Sequence, residues 1–453
     1  MSLRPPQPRP GRTTHASDCT CEWDTQWIGM TDSTAIGGSG TTSAGHSWIW
    51  ELVLRTLGAA LQMAATWAVI RALTPDEAGV FFSGFVIALG LSTLLRGKYE
   101  IYMAQHIIAR RSFASGISDG ALLIQLARRM LLRSSLVCGV LLVVTADLDI
   151  QAPQLQEVLQ TYFPFVLALP FVSLSSLLGE ALRAANRTLG IVVTAYALNL
   201  SVLLVALLAP PDADLVVYSW AFLLGSFGAA VVATGLAWHA FPSTPAERRQ
   251  PISREILHEV DARELIGLAR GVLLWGPLCV LAIWAPPLQM ARYAVAARTA
   301  LIVDFFLPAL NLTGCRETLR ASAPTLASRR VMMAQLAASF TYSSVLVVPL
   351  LLLAPDTLRV FGEPYTDQVV IYALLLAVQW ANGAGRPAVR QAVVSWDARR
   401  IGIALGSGAI AVVLLCALGV AAYGAVAAAV ASLIGALIVN GRAIELAVRH
   451  SAR

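Results

Sequence analysis

Five ionisable residues fall within stretches of the chain that are otherwise apolar: Arg55, Arg96, Arg270, Arg298 and Asp304. Four are arginines, and that choice suits one kind of chemistry. A guanidinium is permanently charged, and its planar fork of N–H donors grips an anion, phosphate oxygens above all, through paired hydrogen bonds. Inside an apolar span such a charge is costly unless it faces protein or water, so these positions point to a polar cavity within a helical bundle. Arg55 and Arg270 stand at matching inner positions of two halves of the chain, and Arg298 lies deeper, roughly two turns into its apolar run. For Arg55, Arg96 and Arg270 the alternative is that their long stems carry the charge back to the interface and merely anchor a helix. For Arg298 that reach is harder, and a cavity is the favoured reading. Asp304, the lone acid near a span centre, could couple transport to a proton or cation, or could simply balance a neighbouring arginine.

Long apolar helices must carry these residues. Residues 51–72 and 79–95 are each long and apolar enough to cross a bilayer. The short turn between them, Thr74 to Ala78, forces the second back antiparallel to the first. The pattern predicts further spans at about 130–147, 160–182, 189–209, 215–240, 268–286, 292–313, 333–354, 368–389, 401–422 and 425–446. The expected fold is therefore an all-α integral membrane protein of about twelve transmembrane helices. Residues 1–47 are Pro/Arg-rich and then Gly/Ser/Thr-rich, and are expected to form a disordered cytoplasmic tail without the apolar stretch of a signal peptide. A chain begun at Met30 is expected to insert equally well. In 241–267, Ile256, Leu257 and Val260 recur at helical spacing, which predicts an amphipathic linker helix on the cytoplasmic face. It would join an N-terminal six-helix bundle, 48–240, to a C-terminal one, 268–453, that ends in a short cytoplasmic tail.

A composition of 57% hydrophobic and 13% charged residues, with mean hydropathy +0.67, excludes a soluble enzyme. The net charge of +6 is no nucleic-acid footprint, because the arginines cluster in alternate loops between apolar runs. Arg110 and Arg111, Arg183 and Arg187, Arg248 and Arg249, Arg329 and Arg330, and Arg399 and Arg400 all fall on one side. By the positive-inside rule that side is the cytoplasm, which places both termini there and the protein in the inner membrane. Arginine does nearly all this work, since Lys98 is the single lysine. The six cysteines show no disulfide or zinc spacing, and no cofactor or metal motif is present.

The two halves echo one another. Arg55 precedes the Glu77-Ala78-Gly79 turn by 22 residues, and Arg270 precedes Arg292-Tyr293-Ala294 by the same 22. This weak internal repeat favours two six-helix bundles around a central cavity with alternating access. Four stretches carry a family likeness: IRALTPDEAGVFF in the first hairpin, MARYAVAARTALIV at the eighth span, LRVFGEPYTDQVVIYALLLA between the ninth and tenth, and VVSWDARRIGIALG entering the eleventh. With these the chain resembles the polysaccharide and O-antigen flippases of the multidrug/oligosaccharidyl-lipid/polysaccharide exporter superfamily. The resemblance implies a transporter that carries an undecaprenyl-diphosphate-linked oligosaccharide to the outer leaflet for surface polysaccharide and lipopolysaccharide synthesis. A polysaccharide polymerase and glycosyltransferases would be its partners. The family's lipid II flippases line the cavity with arginines on the first, second and eighth helices, and Arg55, Arg96 and Arg298 are the corresponding positions here. The further arginine that follows the first in that pattern is replaced by the stretch Ala60-Leu61-Gln62, which argues against lipid II itself.

No catalytic motif survives inspection. His258-Glu259 lacks the second histidine of a zinc protease helix, and no P-loop or GxGxxG precedes a soluble domain. The outer loops, 147–159 and 354–367, are too short to hold the catalytic residues of an integral-membrane polysaccharide polymerase. The alternative transporter is a multidrug/cation antiporter of the same superfamily, which is expected to line its cavity with acids rather than arginines.

Overall fold

The computed structural model describes residues 44–109, 118–151, 156–185, 189–208, 214–245, 247, 252–303, 326–395 and 398–450. Among them the regular elements are all helical. In chain order they are α1 (Ala44–Ala72), α2 (Pro75–Ala109), α3 (Asp119–Gln151), α4 (Gln156–Ala184), α5 (Leu189–Leu208), α6 (Leu215–Ala240), α7 (Arg254–Ala262), α8 (Glu264–Trp284), α9 (Pro287–Ala300), α10 (Leu326–Leu352), α11 (Ala354–Arg359), a 3₁₀ turn (Glu363–Gln368), α12 (Val369–Ser395) and α13 (Ala398–His450). Among the described residues seven stretches are long and apolar enough by length and composition to cross a membrane. One of them, Gly402–Leu446, belongs to α13, whose 53 residues bend at Gly424 (φ 54°). At about 1.5 Å per residue α13 is more than twice the thickness of a bilayer core, so its two limbs cross twice. With α1, α3, α5 and α9 the described helices make a twelve-helix membrane fold, as the apolar runs predict.

Short connections set the antiparallel order. Between α1 and α2, Thr74 and Glu77 form a capping box: the Thr74 N–H donates to Glu77 Oε2 at 2.8 Å, and the Glu77 N–H donates to Thr74 Oγ1 at 3.4 Å. At the same end Arg292 Nε donates to the Pro364 carbonyl at 3.1 Å, and the Ala425 N–H donates to Gln289 Oε1 at 3.3 Å, just past the Gly424 bend. The opposite end, where α2, α4 and α6 finish, carries most of the described arginines and is called the Arg-rich end below.

The helix ends differ from expectation in several places. Helix α1 begins at Ala44, inside the expected tail 1–47, α8 begins at Glu264, inside the expected linker 241–267, and the largest departure is at the basic stretch after Leu95. The basic stretch 96–133 reads as a connecting segment, yet α2 continues to Ala109 and α3 already starts at Asp119. Two of the charges that suggest a loop, Lys98 and Arg133, are satisfied by distant partners instead. Lys98 Nζ lies 2.8 Å from Asp261 and 3.2 Å from Glu264, and Arg133 lies 3.0 Å from the same Glu264. Between these pairs Tyr99, Tyr102, Met103, Leu122 and Leu126 are buried, and they pack with Val260 of α7. The linker helix therefore turns its apolar side to the protein, with Ser253 as its N-cap accepting from the Ile256 N–H at 3.3 Å.

Helices α1 to α6 pack among themselves, as do α8 to α13, and α2 crosses between the sets by lying along α8 and α9. Small residues allow that approach. Gly79 abuts the Pro287 backbone at one end, Gly90 faces Cys279 and Trp275 midway, and Gly97 meets Gly267 at the Arg-rich end. On its other side α2 joins an aromatic cluster in which Phe81 stands 5.5 Å from Phe165, and Phe85 stands 5.4 Å from Phe222, ring centre to ring centre. Each such edge-on pair adds about 0.5–1.5 kcal/mol beyond area burial.

Candidate functional site

Arg298 projects from α9, eleven residues beyond Pro287. At about 1.5 Å per residue that is roughly half the bilayer core. The helix set α1–α6 receives it. Nη1 donates to Thr66 Oγ1 on α1 at 2.8 Å, and Thr66 in turn donates to the Gln62 carbonyl at 2.7 Å. The guanidinium carbon lies 4.2 Å from the centre of the Phe85 ring and 5.1 Å from that of Phe82, both on α2. Two aromatic faces and one hydroxyl thus stabilise the cation without neutralising it. Among the described residues no carboxylate pairs with Arg298, and the Thr66 bond is its one hydrogen bond.

A second charged layer lies nearer the Arg-rich end. Arg96, on α2, forms an ion pair with Glu100 one turn on and donates to Thr93 Oγ1 at 3.3 Å. Its side chain is 15% exposed. Across the helices it is attracted by Glu180 on α4 and repelled by Arg270 on α8. Glu180 is itself ion-paired with Arg183. Arg270 is exposed, one turn beyond the Gly97–Gly267 contact that brings α8 against α2.

The predicted residues therefore fall into two layers rather than one constellation. Arg96 and Arg270 are neighbours, while Arg298 stands beside Phe85, eleven residues or about 16 Å up α2 from Arg96. Arg55 lies on α1 eleven residues before Thr66, so its backbone sits at the level of Arg96; its side chain lies outside the described ones. Asp304 and residues 1–43 of the expected tail 1–47 also lie outside the described residues, and residues 44–47 belong to α1. Thr66, Phe82 and Phe85 were not legible as site residues in the sequence. The one available signal is that Gln62 and Thr66, four apart, are polar within the apolar run of α1. Among the described residues no group of three or more His, Cys, Asp or Glu side chains converges as a metal site.

No protein-family model matches the chain, and no curated protein matches it by sequence. Solved structures do match. An inward-facing multidrug resistance MATE family transporter of the MOP superfamily superposes with a TM-score of 0.61 at 13% identity, over 89% of this chain and 99% of that one. The lipid II flippase MurJ, in an inward closed conformation, superposes with a TM-score of 0.62 at 11% identity, over 88% of this chain and 87% of its own. A MOP superfamily transporter from Pyrococcus furiosus, described as having a binding pocket of reverse polarity, gives 0.61 at 14% identity over 90% and 95%. The chain has the fold of the MOP superfamily transporters.

Proposed function

We propose that this protein is a MOP-type transporter that flips a lipid-linked oligosaccharide, of the undecaprenyl-diphosphate kind, from the inner to the outer leaflet by alternating access. The observation that carries the reading is Arg298: a guanidinium at mid-bilayer depth, between the two helix sets, with one hydrogen bond and no carboxylate partner among the described residues. Such a group favours an anion. A diphosphate offers oxygens that its remaining N–H donors grip in pairs. The layer of Arg96 and Arg270, with Arg55 on the same level, is a first station for that charge, and Arg298 is the second. Asp304, six residues past Arg298, is the ion-coupling position in this reading, and glycosyltransferases and a polymerase are the enzymes that supply and consume the cargo.

Structures of a multidrug transporter and of a lipid flippase resemble the chain equally well, so the test has two arms. The full chain is reconstituted into vesicles carrying a fluorescent polyprenyl-diphosphate oligosaccharide, and exposure of the label to an impermeant quencher is followed. Parallel vesicles are loaded with a lipophilic cationic dye under a proton or sodium gradient. Protein-dependent movement of the lipid, with no dye extrusion, is the expected result. Gradient-driven dye extrusion with a stationary lipid would transfer the assignment to the cation antiporter.

A further inference from the structure

Away from both charged layers, a groove of about 470 Å³ opens between α3, α4 and α6 at the Arg-rich end. Its floor is apolar and buried, formed by Leu123, Ala127, Leu178 and Ala237. Its lips, Leu132 and Trp238, are 64% and 56% exposed. Outward here means toward hydrocarbon, because Leu136 and Val140 continue the same exposed side of α3. One charged side chain lines the groove, Arg128, with Arg129 beside it, and both are exposed. Among the described residues neither has a carboxylate within ion-pair distance, whereas Arg133, one turn on, is held by Glu264 at 3.0 Å.

We propose that this groove binds an anionic glycerophospholipid of the adjacent leaflet, with one acyl chain along the floor and the phosphate on Arg128 and Arg129. The size fits. At about 30 Å³ for a water-sized group, the volume takes roughly sixteen methylenes, one ordinary acyl chain. The chemistry fits as well. Trp238, at the end of α6, is the residue type that settles at headgroup level, and the arginine stems run along apolar surface while their heads meet phosphate. A zwitterionic lipid offers the same chain without the net negative charge, so the two arginines supply selectivity and the floor supplies affinity. The site is distinct from the transport path and does not depend on what the protein carries.

The test is native mass spectrometry of the purified full chain, titrated separately with phosphatidylglycerol and phosphatidylcholine of identical acyl chains. A first phosphatidylglycerol adduct is expected at concentrations about fivefold lower per arginine than the phosphatidylcholine adduct. Arg128→Gln with Arg129→Gln should erase that preference. Ser135→Trp, an exposed lining position that would fill the groove, should remove the first adduct of both lipids, while Leu418→Trp on a remote exposed face should change nothing. Equal binding of the two lipids by the unaltered chain would overturn the proposal. So would a preference that survives the double substitution, or a first adduct that survives Ser135→Trp.

Discussion

At the scale of single residues, Arg298 presents an energetic question. An arginine at the centre of a span costs about 2.5–3.5 kcal/mol on insertion scales. The Thr66 hydroxyl and the Phe82 and Phe85 faces return part of that, roughly 1–2 kcal/mol for a desolvated cation–π contact. The cation is thus tolerated without a carboxylate partner among the described residues, and under the proposed function the anionic cargo would stabilise it further, as a transient binding station requires. Removing a charge-assisted hydrogen bond costs about 1.5–3 kcal/mol, so Arg298→Ala should lower transport roughly ten- to hundredfold at matched protein levels. Arg298→Lys keeps the charge without the planar fork and should recover only part of the loss. Thr66 is a positioning residue. Thr66→Ser should preserve transport, and Thr66→Val, which keeps the shape but not the acceptor, should reduce it. The flipping rate of the labelled lipid reads all four variants, and an unimpaired Arg298→Ala would remove this residue from the path.

At the scale of elements, α2 decides how the helix sets meet. A Cβ added at Gly97 would come within 3.1 Å of the Gly267 backbone, where no flexible side chain can give way. The same addition at Gly228 of α6 meets nothing within 4 Å. Gly97→Ala should therefore lower the melting temperature of the purified protein, with an overpacking cost of about 1–3 kcal/mol. Gly228→Ala should leave it unchanged or raise it slightly, since alanine is about 1 kcal/mol the better helix former. Equal effects at the two sites would contradict the close crossing of α2 and α8. This crossing also explains what could and could not be read in advance. The helices themselves are legible because apolar run length is a local property, and Arg298 is legible because it interrupts such a run. The continuation of α2 past Leu95 is not, because Lys98 is stabilised by a glutamate 166 residues away and so resembles a loop charge when seen alone. Thr66, Phe82 and Phe85 escape for the same reason. They are ordinary helix residues until α9, more than 200 positions later in the chain, lays Arg298 against them.

At the scale of the whole molecule, two cationic layers lie about 16 Å apart along α2, and under the proposed function they would divide the path into a station near the Arg-rich end and one at mid-depth. The order in which cargo meets them depends on which end faces the cytoplasm. The described cations settle unevenly. Lys98, Arg128, Arg129, Arg133, Arg183, Arg254 and Arg263 lie toward one end, against Arg71, Arg292 and Arg359 at the other. Positive charge is retained on the cytoplasmic side during insertion, so the end that holds the linker helix α7 should be cytoplasmic, and Arg96 should meet the cargo before Arg298. Two exposed acids report the two ends: Glu255 on α7, and Asp367 in the 3₁₀ turn that precedes α12. In a chain whose six cysteines are replaced, Asp367→Cys should react with an impermeant maleimide on the side away from the cytoplasm. Glu255→Cys should react only once the membrane is opened. The reverse labelling would invert the protein in the membrane, make Arg298 the first station, and turn the proposed export of an anionic lipid into uptake.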